Sequence, residues 1–432
     1  MERWKEKKMP ELNKTTRLFY GWLVAGAAFV VMIVCFGVQY SFGVFFKPLI
    51  AEFGWTRAAT SGIFSLYMVV RAVFSIVMGY FCDRRGPRLT VGLGAVSMGL
   101  GLLFISRSET IWQLYIFYGV MGGIGAASFY APLASTLSKW FTKKRGLVLG
   151  IYSAGIGIGT VIFSPLTEFF IDTYSWRTSF VILGMMTLGI ILASALLLRS
   201  SPQEMGLEPD GRRGEGFQAG EPGARDRSRK GLSFGDAWLT LPFWLILFVE
   251  MVSYMVSITP LVHIVPFATD TGMSPMVAAS LLAVIGGFSI VGRVVTGAVS
   301  DKVGAKNLLP VMFMIEAVML FFLMESKGTT MFYLFAIFFG LAYGGSVPLI
   351  PAVTADFFGP GSMGTIFGVI SFGGILGGAF GPLLAGTLHD STQRYGTAFL
   401  AISIVAAVGA LLAFYLRGLK PRHAFSDGDH VR

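Results

Sequence analysis

A run of apolar residues, LLAVIGGFSIVGRVVTGAVSDK (281–302), carries an arginine, Arg293, near its middle. A guanidinium stays protonated at any ordinary pH. Inside hydrocarbon such a charge must face a partner or a wet cavity, and a fixed cation in a cavity suits an anionic cargo. Ser289, Arg293, Thr296 and Ser300 follow helical spacing, so they should form one polar stripe, fit for such a cavity. Arg293 precedes Asp301 by eight residues, about 12 Å of helix.

Acids and aromatics complete the candidate site. Glu250 shares a stripe with Ser253, Tyr254 and Ser257, about 15 Å along its own helix. Burial favours the neutral form of a carboxyl, so Glu250 is a candidate proton carrier; the alternative is a static partner for Arg71 or Arg293. Asp270, just before Thr271-Gly272, is read as a turn former, an outer gate or a second proton-coupling acid. Tyr130, Tyr343 and Phe372 fall near the middle of three apolar runs, where hydroxyls and rings can border a substrate. Glu316 reads as structural and Arg71 as ambiguous. His263 reads as a hydrogen-bonded residue at the membrane interface.

The elements that must hold these residues are membrane helices. Hydrophobic residues make up 54% of the chain and charged ones 13%, with a mean hydropathy of +0.68, against roughly 25% charge in soluble domains. A span needs about 20 apolar residues. Twelve runs qualify, near 20–46, 58–82, 89–106, 110–138, 146–171, 176–198, 241–268, 275–300, 307–325, 329–355, 363–388 and 394–416. The fold class is therefore all-α integral membrane, with twelve transmembrane helices. The net charge of +10 does not signal nucleic acid, because 26 of the 34 Lys and Arg fall in the tails and the even-numbered loops. The positive-inside rule then places both termini in the cytoplasm of a multi-pass protein of the cytoplasmic membrane. The basic start runs into a span too long for a cleavable signal peptide. Cys35 and Cys82 offer no disulfide framework. Four scattered histidines, and the absence of P-loop and H-E-x-x-H motifs, argue against an enzyme, a metal site, a cofactor or an ATP-driven pump.

Gly, Pro and charge dominate SPQEMGLEPDGRRGEGFQAGEPGARDRSRKG (201–231), the composition of a flexible linker. The expected organisation is a tail (1–18), a six-helix bundle (19–199), a linker (200–236), a second bundle (237–416) and a tail (417–432). The halves share a loop motif. GYFCDRRGPR (79–88) contains Gly79, Asp83, Arg84, Gly86 and Arg88, and GAVSDKVGAK (297–306) contains Gly297, Asp301 and Gly304. An Asp suits a helix end and the second Gly a tight turn. Two copies at matching places indicate duplication.

This repeated loop resembles the signature of the major facilitator superfamily, which implies two bundles about an axis along the membrane normal, with a site between them at mid-membrane. Tyr20-Gly21-Trp22 with YSFGVFFKPL (40–49), KWFTKKRGLVLGIYSAGIGIG (139–159) and LVHIVPFATDTGMS (261–274) resemble the monocarboxylate transporter family and its bacterial relatives, which include oxalate/formate antiporters. The resemblance implies that Arg293 binds an anion. It also shows departures: Ser289 stands where many monocarboxylate carriers have an aspartate, Tyr40 aligns with their first-span lysine, and Gly374 with a lysine of the oxalate-type antiporters. One cavity cation suits a monocarboxylate better than a dicarboxylate, since an unmatched second carboxylate would cost several kcal/mol to desolvate. The expected function is a secondary carrier of a small monocarboxylate (lactate, pyruvate or acetate-like) with a proton, working as a monomer in the bilayer; the alternative is anion exchange of the oxalate/formate type.

Overall fold

In hydrocarbon each backbone N–H and C=O must be satisfied within the protein, which leaves the helix as the form for these runs. A computed structural model describes residues 19–419, apart from 142–144, 212–231, 233 and 360–362. The N-terminal tail, residues 420–432 of the C-terminal tail and most of the expected linker lie outside the described residues. Twelve helices are long and apolar enough to cross a membrane. They are α1 (Tyr20–Phe53), α2 (Arg57–Arg85), α3 (Pro87–Ile105), α4 (Ile111–Trp140), α5 (Leu147–Thr173), α6 (Trp176–Leu197), α7 (Leu241–Asp270), α8 (Pro275–Ser300), α9 (Ala305–Met324), α10 (Thr329–Phe358), α11 (Ile366–Thr392) and α12 (Tyr395–Gly418).

Helix pairing repeats across the halves. In the first, α1 packs on α5 and α6, α4 on α2 and α3, and α3 on α6; in the second, α7 packs on α11 and α12, α10 on α8 and α9, and α9 on α12. The halves meet through α2 with α11 and through α5 with α8, a symmetric pair of seams. Glycines allow the close approach: a Cβ on Gly157 would lie 2.8 Å from Gly286 O, and one on Gly286 2.9 Å from Gly157 O. The duplicated loop folds alike in both halves, with Gly86 at φ 83° and Gly304 at φ 88°, a region that disfavours side chains. Asp83 pairs with Lys139 at 3.2 Å rather than capping its helix, Arg84 lies over the Tyr80 ring, and Arg88 is exposed. The side chain of Asp301 is outside the described residues.

Two of the first-half helices are interrupted. α1 turns at Ser41 and continues as Phe42–Phe53, so it runs past the expected end at 46 and packs on α7. α4 holds a π-helical stretch, Tyr115–Gly122, and a second break at Ser128–Phe129. Tyr40 precedes one break and Tyr130 follows the other. Irregular backbone at membrane depth is tolerated where it is buried in protein or lines a cavity.

The polar contacts that join the halves lie between mid-membrane and the face opposite the linker, here called the far side. Asp270 pairs with Lys47 and with Arg57 of the other half, each at 2.7 Å. Asp390 accepts from the backbone N–H of Arg57 and Ala58 at the start of α2, where a helix N-terminus favours a carboxylate. Arg57 also donates to the Tyr395 hydroxyl. Deeper in, Ser65 Oγ donates to Ala379 O at 2.6 Å. His263 is fully buried, with Pro382 O at 2.9 Å and the Ser61 and Tyr395 hydroxyls at 3.2 Å. Its expected place at an exposed interface is thus corrected: α7 and α11 enclose it within the far-side seal.

Candidate functional site

Arg293 reaches toward the space between the halves from α8. Its guanidinium lies 5.8 Å from the centroid of the Tyr343 ring on α10. Its Nε and Nη1 are buried and have no hydrogen-bond partner among the described residues. Unpaired buried donors are costly, about 1–3 kcal/mol each, so each calls for an explanation such as a water, an ion or a ligand. The Tyr343 hydroxyl sits 3.4 Å from that of Tyr40 on α1, which links the two halves at mid-membrane.

Tyr130 on α4 is 42% exposed, yet the charges of Arg293, Arg71 and Glu250 and the Tyr343 hydroxyl all act on it. These groups come from helices of both halves, so the exposure of Tyr130 is to an internal, water-accessible space. Glu250 on α7 is buried. It forms neither an ion pair nor a hydrogen bond with the described residues, so it is not a static partner of Arg71 or Arg293. A Cβ on Gly374 would lie 2.7 Å from Glu250 Cγ; the small residue at that α11 position makes room for the acid. Tyr254, one turn along α7, shares the neighbourhood of Glu250, Tyr130, Arg71 and Tyr343. Phe372 is half-buried on α11.

The structure alters two expectations. Ser289 is 1% exposed and donates to Gly286 O, while its own carbonyl lies 2.0 Å from where a Cβ of Gly344 would be. Thr296 is buried beside Gly345 and Met312. The polar stripe therefore faces α10 and α9, and only the long side chain of Arg293 escapes it toward the cavity. Asp270 stands in the far-side seal, paired with Lys47 and Arg57. Arg71, finally, is a second cation beside the cavity, where a single one was expected. It is buried, donates to Gln39 Oε1 at 2.9 Å and lies over the Phe36 ring. Two arginines against Glu250 leave the cluster one net positive charge when that acid is ionised.

The sequence reading passed over Gln39 and Tyr67, which hold Arg71 in place through a shared acceptor, Gln39 Oε1. It also passed over Glu168 on α5. Thr160, Ser164 and Glu168 at four-residue spacing within an apolar run were the signal for it. Among the described residues no group of three or more His, Cys, Asp and Glu is arranged to hold a metal.

A family model described as Major Facilitator Superfamily matches residues 27–324 and 243–430. The chain is 28% identical to monocarboxylate transporter 13 of Rattus norvegicus over 397 residues, covering 91% of this chain and 88% of that protein. It is 25% identical to monocarboxylate transporter 12 of Homo sapiens over 438 residues, 96% of this chain and 85% of that one. Monocarboxylate transporter 11 of Homo sapiens is 29% identical over 406 residues, 91% of this chain and 82% of its own length. Among solved structures, a bacterial homologue of the human lysosomal transporter Spinster, inward-facing and unoccupied, superposes with a TM-score of 0.74 at 16% identity, covering 93% of this chain and 98% of that one; the likeness is one of fold. The chain belongs to the major facilitator superfamily and is a membrane transporter, not an enzyme, with monocarboxylate transporters as its sequence relatives, as its motifs led one to expect.

Proposed function

We propose that this protein carries a small monocarboxylate, of the lactate, pyruvate or acetate kind, together with a proton by alternating access. The observation that carries the reading is the Arg293 guanidinium, with two buried N–H groups that have no partner among the described residues. A carboxylate has two oxygens to accept such a fork, and charge-assisted pairs of this geometry are among the stronger hydrogen bonds. Tyr343 and Tyr130 border the same space from α10 and α4, and Tyr40 lies against Tyr343. Of the two arginines only Arg293 has buried N–H groups without a partner among the described residues, while Arg71 is held by Gln39, and one such fork matches one carboxylate.

Coupling follows from repulsion. A substrate carboxylate beside an ionised Glu250 meets a like charge with little screening, so anion binding and protonation of Glu250 favour each other. Protonated Glu250 and bound anion then cross as a pair, moving no net charge. On this reading the linker side is cytoplasmic, supported by its excess of Lys and Arg, and the far-side seal is the outer one. Asp270 acts as an outer latch.

Uptake into proteoliposomes tests the proposal. Accumulation driven by an inward proton gradient, abolished by a protonophore and insensitive to voltage, is expected. Uptake indifferent to pH but raised by preloading the vesicles with a second anion would replace symport with exchange of the oxalate/formate type.

A further inference from the structure

α5 presents two different sides. Gly155 and Gly159 pack on α1, whereas Gly157 and Thr160 pack on α8, where a Cβ of Gly286 would lie 2.9 Å from Thr160 Cβ. At 100° per residue, Ser164 and Glu168 fall on the α8 side with Gly157. Glu168, three turns beyond Gly157, therefore lies along the seam between the halves, toward the far side. It is 6% exposed, and it forms no ion pair or hydrogen bond with the described residues. Ser164 Oγ and Thr167 Oγ1 beside it are buried without a partner among the described residues. Such a row is unexplained by the sealed state. It is explained if the row faces water when the far side opens.

Charges around Glu168 do not compensate it. On α5 itself Asp172, one turn on, adds a like charge. α1 brings Lys47, committed to Asp270, and Glu52, which binds Arg177 of α6 and the Trp176 indole. α8 brings no titratable side chain between Pro275 and Gly292. An ionised carboxylate closed into this seam would be an unpaired buried charge, which is costly.

We propose that Glu168 is a second proton-binding site, one that gates the far side. In the far-open state its carboxylate takes one proton from far-side water, and only the neutral acid is closed into the α5–α8 seam. The site lies on the sealed side of the cavity, so its proton is returned to the far side on reopening and is not delivered with the substrate. Acid on the far side thus favours closure, independently of the proton carried by Glu250. This inference rests on the alternating-access reading above, and uptake by the labelled parent protein, beside the unaltered protein, tests that reading separately.

The experiment uses full-length protein with Cys35→Ser and Cys82→Ser, and spin labels on Glu109→Cys and Lys327→Cys, exposed far-side residues of opposite halves. In the parent the short distance between labels should be populated at acid pH and give way to a longer one as pH rises. Glu168→Gln, and Glu168→Leu should the first fold poorly, should hold the short distance across the same range. Glu168→Gln should also reach the parent's steady-state accumulation in a proton gradient, only more slowly, because closure is favoured while coupling is intact. A parent distance that ignores pH, or a Glu168→Gln distance that follows pH as the parent does, overturns the assignment. A Glu168→Gln protein that still exchanges substrate at equal pH but no longer accumulates it against a gradient overturns the gating role, because Glu168 would then carry the transported proton.

Discussion

Replacing Arg293 by Met separates function from stability. The bound anion would lose two charge-assisted hydrogen bonds, from Nε and Nη1, each worth about 1.5–3 kcal/mol. Together that is about 3–6 kcal/mol, or roughly a 10²- to 10⁴-fold loss of uptake efficiency at about 1.4 kcal/mol per factor of ten. Arg293→Lys keeps the charge but loses the planar fork, and should lose about 10- to 100-fold, one bond's worth. Stability should move the other way. In the substrate-free protein the same two donors are buried and find no partner among the described residues, and Met fills similar space without them. The thermal unfolding midpoint of purified Arg293→Met should therefore equal or exceed that of the parent, as at many functional sites. The assays are initial uptake in proteoliposomes at matched protein density and thermal unfolding in detergent. Parent-level uptake by Arg293→Met would remove Arg293 from the site. A clear fall in its midpoint would make the guanidinium a packing element instead.

Three further outcomes follow from the geometry. Glu250→Gln mimics the protonated acid, so exchange at equal pH should persist while gradient-driven accumulation, up to about tenfold per pH unit for one proton, disappears; retained accumulation would exclude Glu250 as the carrier. Asp270→Asn weakens two partly exposed ion pairs worth about 0.2–1 kcal/mol each, so the far-side equilibrium should shift about 2- to 30-fold toward opening, read from the label distance; an unchanged distribution would mean that the pairs are incidental. Gly344→Ala puts a Cβ 2.0 Å from Ser289 O and should destabilise by at least about 1–3 kcal/mol. Gly79→Ala, with nothing within 4 Å, should melt as the parent does, and equal midpoints for the two would refute the packing argument.

Much of the site was legible, and the remainder was lost for identifiable reasons. Arg293 and Glu250 stood out because a charge in a long apolar run is conspicuous whatever surrounds it. Glu168 was missed because it sits near the end of its run, beside Asp172, where a charge usually meets water. His263 was misplaced for the converse reason. Its position near a helix end suggested an interface, and only the packing of α11 and Tyr395 over it buries the ring.

By itself the sequence determined what depends on length, period and duplication. Twelve apolar runs must be helices because hydrocarbon leaves backbone groups no other partners. Two copies of one loop motif imply two alike halves, and a constant rise per residue sets the depth of Arg293. The tertiary structure decided what depends on rotation about a helix axis and on contacts between distant segments. Ser289, Thr296 and Arg293 share one stripe, yet that stripe faces α10, and side-chain length alone takes the guanidinium to the cavity. Which side is sealed rests on Asp270 with Lys47 and Arg57, and on Asp390 with the start of α2. These residues are hundreds of positions apart, and no local pattern carries their meeting; it follows from how two rigid bundles rest against each other.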